Sequence, residues 1–168
     1  MNTAVWSTLD TLAGPFTAVV AEDGAVLASG WTSDVGLLTS LISPGLAPTE
    51  ITETDDLGEV GDAIRRYHAG ELDAVDDIAV RQHSSPFREK AWRVLRTVKP
   101  GEPVSYADYA TLAGNPAAIR AAASACARNA AALFVPCHRV VRTGGALGGF
   151  RWGTETKRWL LDHEAPAK

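Results

Sequence analysis

Apolar and polar positions alternate in two neighbouring stretches of the first third of the chain, PFTAVVAED at 15–23 and GAVLASGW at 24–31, and Asp23-Gly24 joins them. A turn that tolerates positive φ between two period-two segments predicts a β-hairpin, and from it a short antiparallel sheet. SDVGLLTSLI at 33–42 and DLGEVGDAIRRYHAG at 56–70 instead repeat their apolar residues at helical spacing, the second closing on Gly70. Both predict helices, and AVDDIAV at 74–80 predicts a returning strand.

Beyond RQHSSP the pattern turns helical. SPFREKAWRVLRTV at 85–98 opens with a serine cap and a first-turn proline, and its Phe87, Trp92 and Leu95 form an apolar stripe. KPGEP ends that helix. SYADYATLA, the turn Gly114-Asn115 and PAAIRAAASACARN then predict two short helices joined by a glycine turn. This is the pattern of a helix-turn-helix and equally of two ordinary packed helices. From Ala117 to Ala127 almost every residue is Ala, Ser or Cys, apart from Ile119 and Arg120. So small a surface lets the backbone approach closely either another helix or a nucleic-acid groove, with Arg120 as its one long polar side chain.

The charge changes this picture by dividing it. The formal net charge is −4, but residues 1–83 carry 3 Lys+Arg against 14 Asp+Glu and residues 84–168 carry 13 against 6. A basic second half could meet phosphates while the acidic half stays in water, or the halves could simply attract one another. At 168 residues the chain can bury a core without staples, as one domain or as two small ones. No apolar run is long enough for a membrane span and no signal core is evident, so a cytoplasmic protein is expected. Two cysteines, Cys126 and Cys137, without a C-x-x-C pair favour neither a disulfide framework nor a structural zinc site, and no metal or cofactor is expected.

The candidate chemistry lies in FVPCHRVV at 134–141. A thiol there could be a metal ligand, a disulfide half, a nucleophile or a small buried residue. As a nucleophile, Cys137 needs a base, because apolar surroundings raise a thiol's pKa. His138 is adjacent, Pro136 biases the residue before it toward extended geometry, and WLLDHE supplies Asp162 and Glu164 as candidates to orient the histidine.

VPCHRVV, TGGALGGFRWG and TKRWLLDHE together resemble the active-site domain of the O6-alkylguanine-DNA alkyltransferases, also called methylated-DNA-[protein]-cysteine S-methyltransferases. The resemblance runs from SPFREKAWRVL through GEPVSYADYATLAGNP to Glu164, about half of the chain, and is loose before that. It implies an α+β fold, with a ribonuclease-H-like antiparallel sheet and helices at 1–83 and a helical DNA-binding and active-site domain with a helix-turn-helix at 84–168. It implies irreversible transfer of an alkyl group from guanine O6 to Cys137, with O4-alkylthymine left open, His138 acting as base through a water and Glu164 orienting it. Tyr106 is similar in position to the tyrosine that turns the target nucleotide's phosphate and helps protonate the leaving guanine. Arg120 resembles the arginine that fills the gap in the base stack. Ala121, Ser124 and Arg128 with Tyr106 would face DNA, Asn129 would brace the active-site turn, and Val140, Phe150, Arg151 and Trp152 would line the substrate pocket.

The partner so implied is double-stranded DNA carrying O6-alkylguanine, met through the minor groove by a monomer, with cooperativity left open. Two departures stand out: Asn129 is followed by Ala130 where the family often has proline, and Phe150 replaces a tyrosine. Related proteins that bind without transfer lack the acceptor cysteine that this chain has. A cysteine hydrolase would be distinguished by turnover on an ester or amide. The phosphotriester function of the larger adaptive-response regulators is not expected, because no N-terminal cysteine cluster is present.

Overall fold

Strand β1 (Thr3–Thr11) pairs antiparallel with β2 (Gly14–Ala21), and β2 pairs antiparallel with β3 (Val26–Gly30) across the predicted Asp23-Gly24 turn. Gly24 sits at φ +91° and the Asp23 carboxylate accepts the Ala25 N–H at 3.2 Å, which is why that dipeptide closes the hairpin. The computed structural model describes residues 2–166 and separates into two units, one formed by the chain through His83 together with Ala130–Phe134, the other by Ser84–Asn129 and Val135 onward. A single cut at residue 83 therefore does not describe the packing, since 130–134 lies with the first unit.

The first unit differs from the sequence reading in three strands. β1 was not predicted, because its Thr, Ser and Asp residues hide the alternation. A fourth strand, β4 (Glu50–Glu53), lies parallel to β1, so the order is β3-β2-β1-β4 and the sheet is mixed rather than antiparallel. It is short and largely exposed, as edge strands tend to be. The stretch 74–80 forms a turn over 74–77 and no strand, and it pairs with the sheet through an isolated Val26–Val80 bridge. Helices α1 (Val35–Leu41) and α2 (Glu59–His68) form as their spacing predicts, α1 capped by Asp34 and α2 ending before Gly70 at φ +112°. Phe16, Leu27, Leu38, Ile64, Tyr67 and Phe134 are fully buried in this unit, and Ser29 holds the 130–134 segment through bonds to the Ala130 and Ala132 carbonyls at 2.8 and 2.7 Å.

The second unit is helical around a small ladder. α3 (Pro86–Leu95) starts at the predicted cap, with Ser85 Oγ accepting the Arg88 N–H, and α4 (Tyr106–Leu112) is capped by Ser105 in the same way. The turn at Gly114, φ +97°, leads into α5 (Ile119–Ala127). Ala122 and Ala125 are the fully buried residues of α5, and the Trp92 indole N–H reaches the Ala125 carbonyl at 2.8 Å. The small side chains therefore let α5 seat closely on α3 and α4, while Arg120 and Ala121 stay exposed on its outer surface. A parallel two-residue ladder, β5 (Val104–Ser105) with β6 (Val140–Val141), and α6 (Thr154–Glu164) complete the unit.

Candidate active site

Pro136 forces the turn that presents the cysteine. At φ −81°, ψ 66° it forms an inverse γ-turn, closed by the Cys137 N–H on the Val135 carbonyl at 2.8 Å. The same carbonyl accepts the Asn129 side-chain amide at 2.7 Å, so Asn129 braces this turn from the end of α5. Residues 137–139 then form one 3-10 turn that leads into β6. At Ala130 the backbone N–H is used, donating to the Gln82 side chain at 3.0 Å, a bond a proline could not make.

Behind the cysteine lies a buried charged cluster. His138 is fully buried and its Nε2 lies 2.7 Å from Glu164 Oε2; Arg139 grips the same carboxylate with Nε at 2.9 Å and Nη2 at 3.0 Å, and donates Nη1 to the Val98 carbonyl at 2.7 Å. Burial alone would push the Glu164 carboxyl up, but the bonds from His138 and Arg139 hold it at about 2. Burial pushes His138 down despite the carboxylate beside it. The consistent assignment is a neutral imidazole with its proton on Nε2, donated to a carboxylate whose charge Arg139 balances. Nδ1 is then the basic nitrogen, and it has no hydrogen-bond partner among the described residues. Gly101, at φ +80°, lets the end of α6 come close to it, because a Cβ there would stand 2.8 Å from the Glu164 backbone carbonyl.

The thiol opens onto a cavity of about 400 Å³ lined by residues of α4, α5 and the 149–152 loop, among them Tyr106, Cys126, Phe150 and Trp152. Burial pushes Cys137 up, opposed by a hydrogen bond from Asn129 and by the charges of Lys157 and Arg151. Tyr106 is pushed up to about 12, first by burial and then by the two thiols, so its hydroxyl keeps its proton near neutrality. Gly148, at φ +75°, lies against that ring: a Cβ would come within 3.1 Å of Tyr106 Cε2 and Oη.

Each predicted residue can now be placed. Cys137, Tyr106, Asn129, Phe150, Arg151 and Trp152 line one cavity, and His138 and Glu164 meet behind it. Val140 does not line the cavity: it is fully buried in β6, paired with Val104, and its carbonyl rather than its side chain is engaged. Arg120, Ala121 and Arg128 are exposed on or just beyond α5, whereas the Ser124 hydroxyl is taken by Arg88 Nη2 at 3.0 Å. Arg151 turns its guanidinium to the Ala127 carbonyl at the end of α5.

Comparison with known proteins agrees with this geometry. A family model described as 6-O-methylguanine DNA methyltransferase, DNA binding domain, matches residues 86–166. The constitutive methylated-DNA–protein-cysteine methyltransferase of Bacillus subtilis is 40% identical over 117 residues, which cover 69% of this chain and 70% of that one. The chain belongs to the methylated-DNA–protein-cysteine methyltransferase family. Over 79 residues it is also 52% identical to the bifunctional transcriptional activator/DNA repair enzyme Ada of Escherichia coli, a match spanning 47% of this chain and only 22% of that protein. The crystal structure of Mycobacterium tuberculosis OGT in complex with DNA superposes with a TM-score of 0.79 at 28% identity, covering 95% of this chain and 92% of that one.

In this methyltransferase-family chain, three residues of the site escaped the sequence reading. Arg139 stands inside the Cys-His-Arg motif without a role read for it, yet it makes the bidentate contact to Glu164. Lys157 is fully buried beside the cavity, and Gly148 leaves room for Tyr106. The available signal was spacing: Lys157, Leu160 and Glu164 fall on one helical face and are the buried residues of α6.

Proposed function

We propose that this protein repairs DNA by moving an alkyl group, methyl in the simplest case, from guanine O6 to its own Cys137 in a single turnover. The observation that carries the proposal is one cavity shared by a buried thiol and a protonated tyrosine, with a neutral imidazole fixed by Glu164 behind the thiol. In the step, the thiol proton passes through a bridging water to His138 Nδ1, while Glu164 and Arg139 steady the imidazolium that forms. The sulfur then bonds to the alkyl carbon as the carbon–oxygen bond breaks, and the electron pair leaves with the guanine. Tyr106 supplies the proton that neutralises the departing base, and Cys137 ends as a thioether. No group in the site is suited to cleave that thioether, so the protein is consumed.

The target atom lies inside a duplex, so the nucleotide must be turned out into the cavity. We infer that α4, its glycine turn and α5 act as a helix-turn-helix whose exposed Arg120 enters the minor groove and occupies the place of the flipped base. Ala121 and Arg128 flank that approach, and Ser124 steadies it through Arg88. The substrate pocket is formed by Phe150, Arg151 and Trp152, the Phe150 ring serving as a wall without a hydroxyl. The β3-β2-β1-β4 order supports a ribonuclease-H-like sheet in the N-terminal domain. The protein acts as a monomer in the cytoplasm, where Cys126 and Cys137 remain the free thiols seen here.

After incubation with a duplex containing O6-methylguanine, the intact mass is expected to rise by one methyl group, located on the Cys137 peptide. A label on Cys126, or continued turnover, would defeat the proposal. Gly148→Ala is expected to slow single-turnover transfer about tenfold, because the new Cβ crowds Tyr106 and a small displacement of a reacting group is costly. Unchanged transfer in a folded variant would mean Tyr106 gives way without consequence.

A further inference from the structure

The site holds a cation for which the described residues provide no carboxylate. Lys157 is fully buried on α6, its Nζ donates to the Val140 carbonyl at 2.8 Å and the Gly149 carbonyl at 3.4 Å, and it lies 5.9 Å from the Tyr106 ring centroid. Glu164, the buried carboxylate on the same helix, has both oxygens committed to His138 and Arg139. A buried ammonium is ordinarily paired with an anion, because neutral carbonyls offset only part of its lost hydration.

We propose that Lys157 is an electrostatic positioning residue whose counter-ion is the thiolate of Cys137, present only as the alkyl group is taken. The charged and ionisable groups around the acceptor come from every element packed on it: Lys157 from α6, Arg151 from the preceding loop, His138 backed by Glu164 and Arg139, Cys126 from α5 and Tyr106 from α4, with Arg142 near the tyrosine. Of the two cations whose charges act on the thiol, Arg151 is exposed and turned to the Ala127 carbonyl, so its charge is screened by water. Lys157 is buried, so its charge is screened less. The ionisation tendencies are reciprocal: burial pushes Cys137 up and Lys157 draws it down, while burial pushes Lys157 down and the thiols draw it up.

This inference rests on the acceptor role proposed for Cys137, but its test needs no DNA. Iodoacetamide is displaced by the thiolate alone, the sulfur forming the new bond to carbon as iodide leaves and the thiol proton having gone to water. Its rate with the intact protein would be followed from about pH 6 to pH 10 on the peptide carrying Cys137. Lys157→Met is expected to move the apparent thiol pKa up by about one unit, slowing the reaction about tenfold at neutral pH, whereas Lys157→Arg should stay within about threefold of the parent chain. A Lys157→Met profile that overlays the parent's would reduce Lys157 to a brace for two carbonyls.

The unsubstituted chain provides a reading that misfolding of a variant cannot spoil. Linkage requires that capping Cys137 with iodoacetamide lower the pKa of Lys157, seen by NMR of its labelled side chain. A lysine titration that does not move overturns the proposal. A protein that takes no methyl from DNA yet shows both shifts would keep this inference and lose the proposed repair function.

Discussion

Arg120→Ala is expected to lose roughly 2 to 3 kcal/mol of transition-state stabilisation on duplex DNA, about thirty- to a hundred-and-fifty-fold in single-turnover rate, and almost nothing on free O6-benzylguanine. The argument is one of position. Arg120 is exposed on α5 among small side chains, whereas the cavity is lined by other residues. A free base needs no extrusion, so only the duplex reaction draws on a group that fills the vacated stack. Cys137→Ala should abolish both reactions, since no other group in the cavity combines a thiol with His138 behind it. The paired rates decide between the roles. Equal losses for Arg120→Ala on both substrates would make the arginine a support of the pocket and remove the minor-groove reading of α5.

The second large effect concerns stability. Arg139→Met should destabilise the fold by about 3 to 5 kcal/mol, because it leaves the Glu164 charge buried against a neutral imidazole. At this chain length the loss corresponds to a fall in thermal midpoint of about 6 to 20 °C. The pH dependence should change with it. Glu164 is held at about 2 against an ordinary 4.5, so its contribution is fully present above about pH 4.5 and is lost as pH falls toward 2. His138 is held below its ordinary 6.5, so it too favours the fold above that value, and its share is lost earlier on acidification. The unsubstituted chain should therefore weaken in two stages as pH falls.

Arg139→Met should flatten the lower stage and shrink the upper one, because the Arg139 charge also helps to hold His138 down. Thermal melts between about pH 3 and 8 would show this, and a variant with an unaltered acid limb would mean the carboxylate does not depend on Arg139. Glu164→Gln should slow transfer as well as destabilise, because a neutral amide withdraws charge support from His138 and leaves Arg139 buried without its anion. The doubly substituted Arg139→Met, Glu164→Gln chain should be more stable than either single variant, since neither buried charge then stands alone.

Much of this could be read along the chain because it is local. The Asp23-Gly24 hairpin, the Ser85-Pro86 helix start and the Gly114-Asn115 turn each follow from backbone chemistry within a few residues, and all three form where those residues stand. The pairing of a thiol with an imidazole was equally local, because Pro136, Cys137 and His138 are consecutive. Other features depended on partners distant in sequence. β1 is a strand because it pairs with β2 from Ala4 to Thr11, and β4 because it pairs with β1 from Thr3–Glu50 to Trp6–Glu53; polar segments of that kind carry little pattern of their own.

The choice between Asp162 and Glu164 was likewise open until the phase of α6 was known. Two residues apart on a helix, they point to opposite sides, and the structure exposes Asp162 while it buries Glu164 on the face shared with Lys157 and Leu160. Arg139 and Lys157 had the composition of surface residues. Only tertiary packing removed their charges from water and set one against Glu164 and the other against the Val140 carbonyl, because desolvation acts on where a side chain ends, which its own sequence neighbours do not determine.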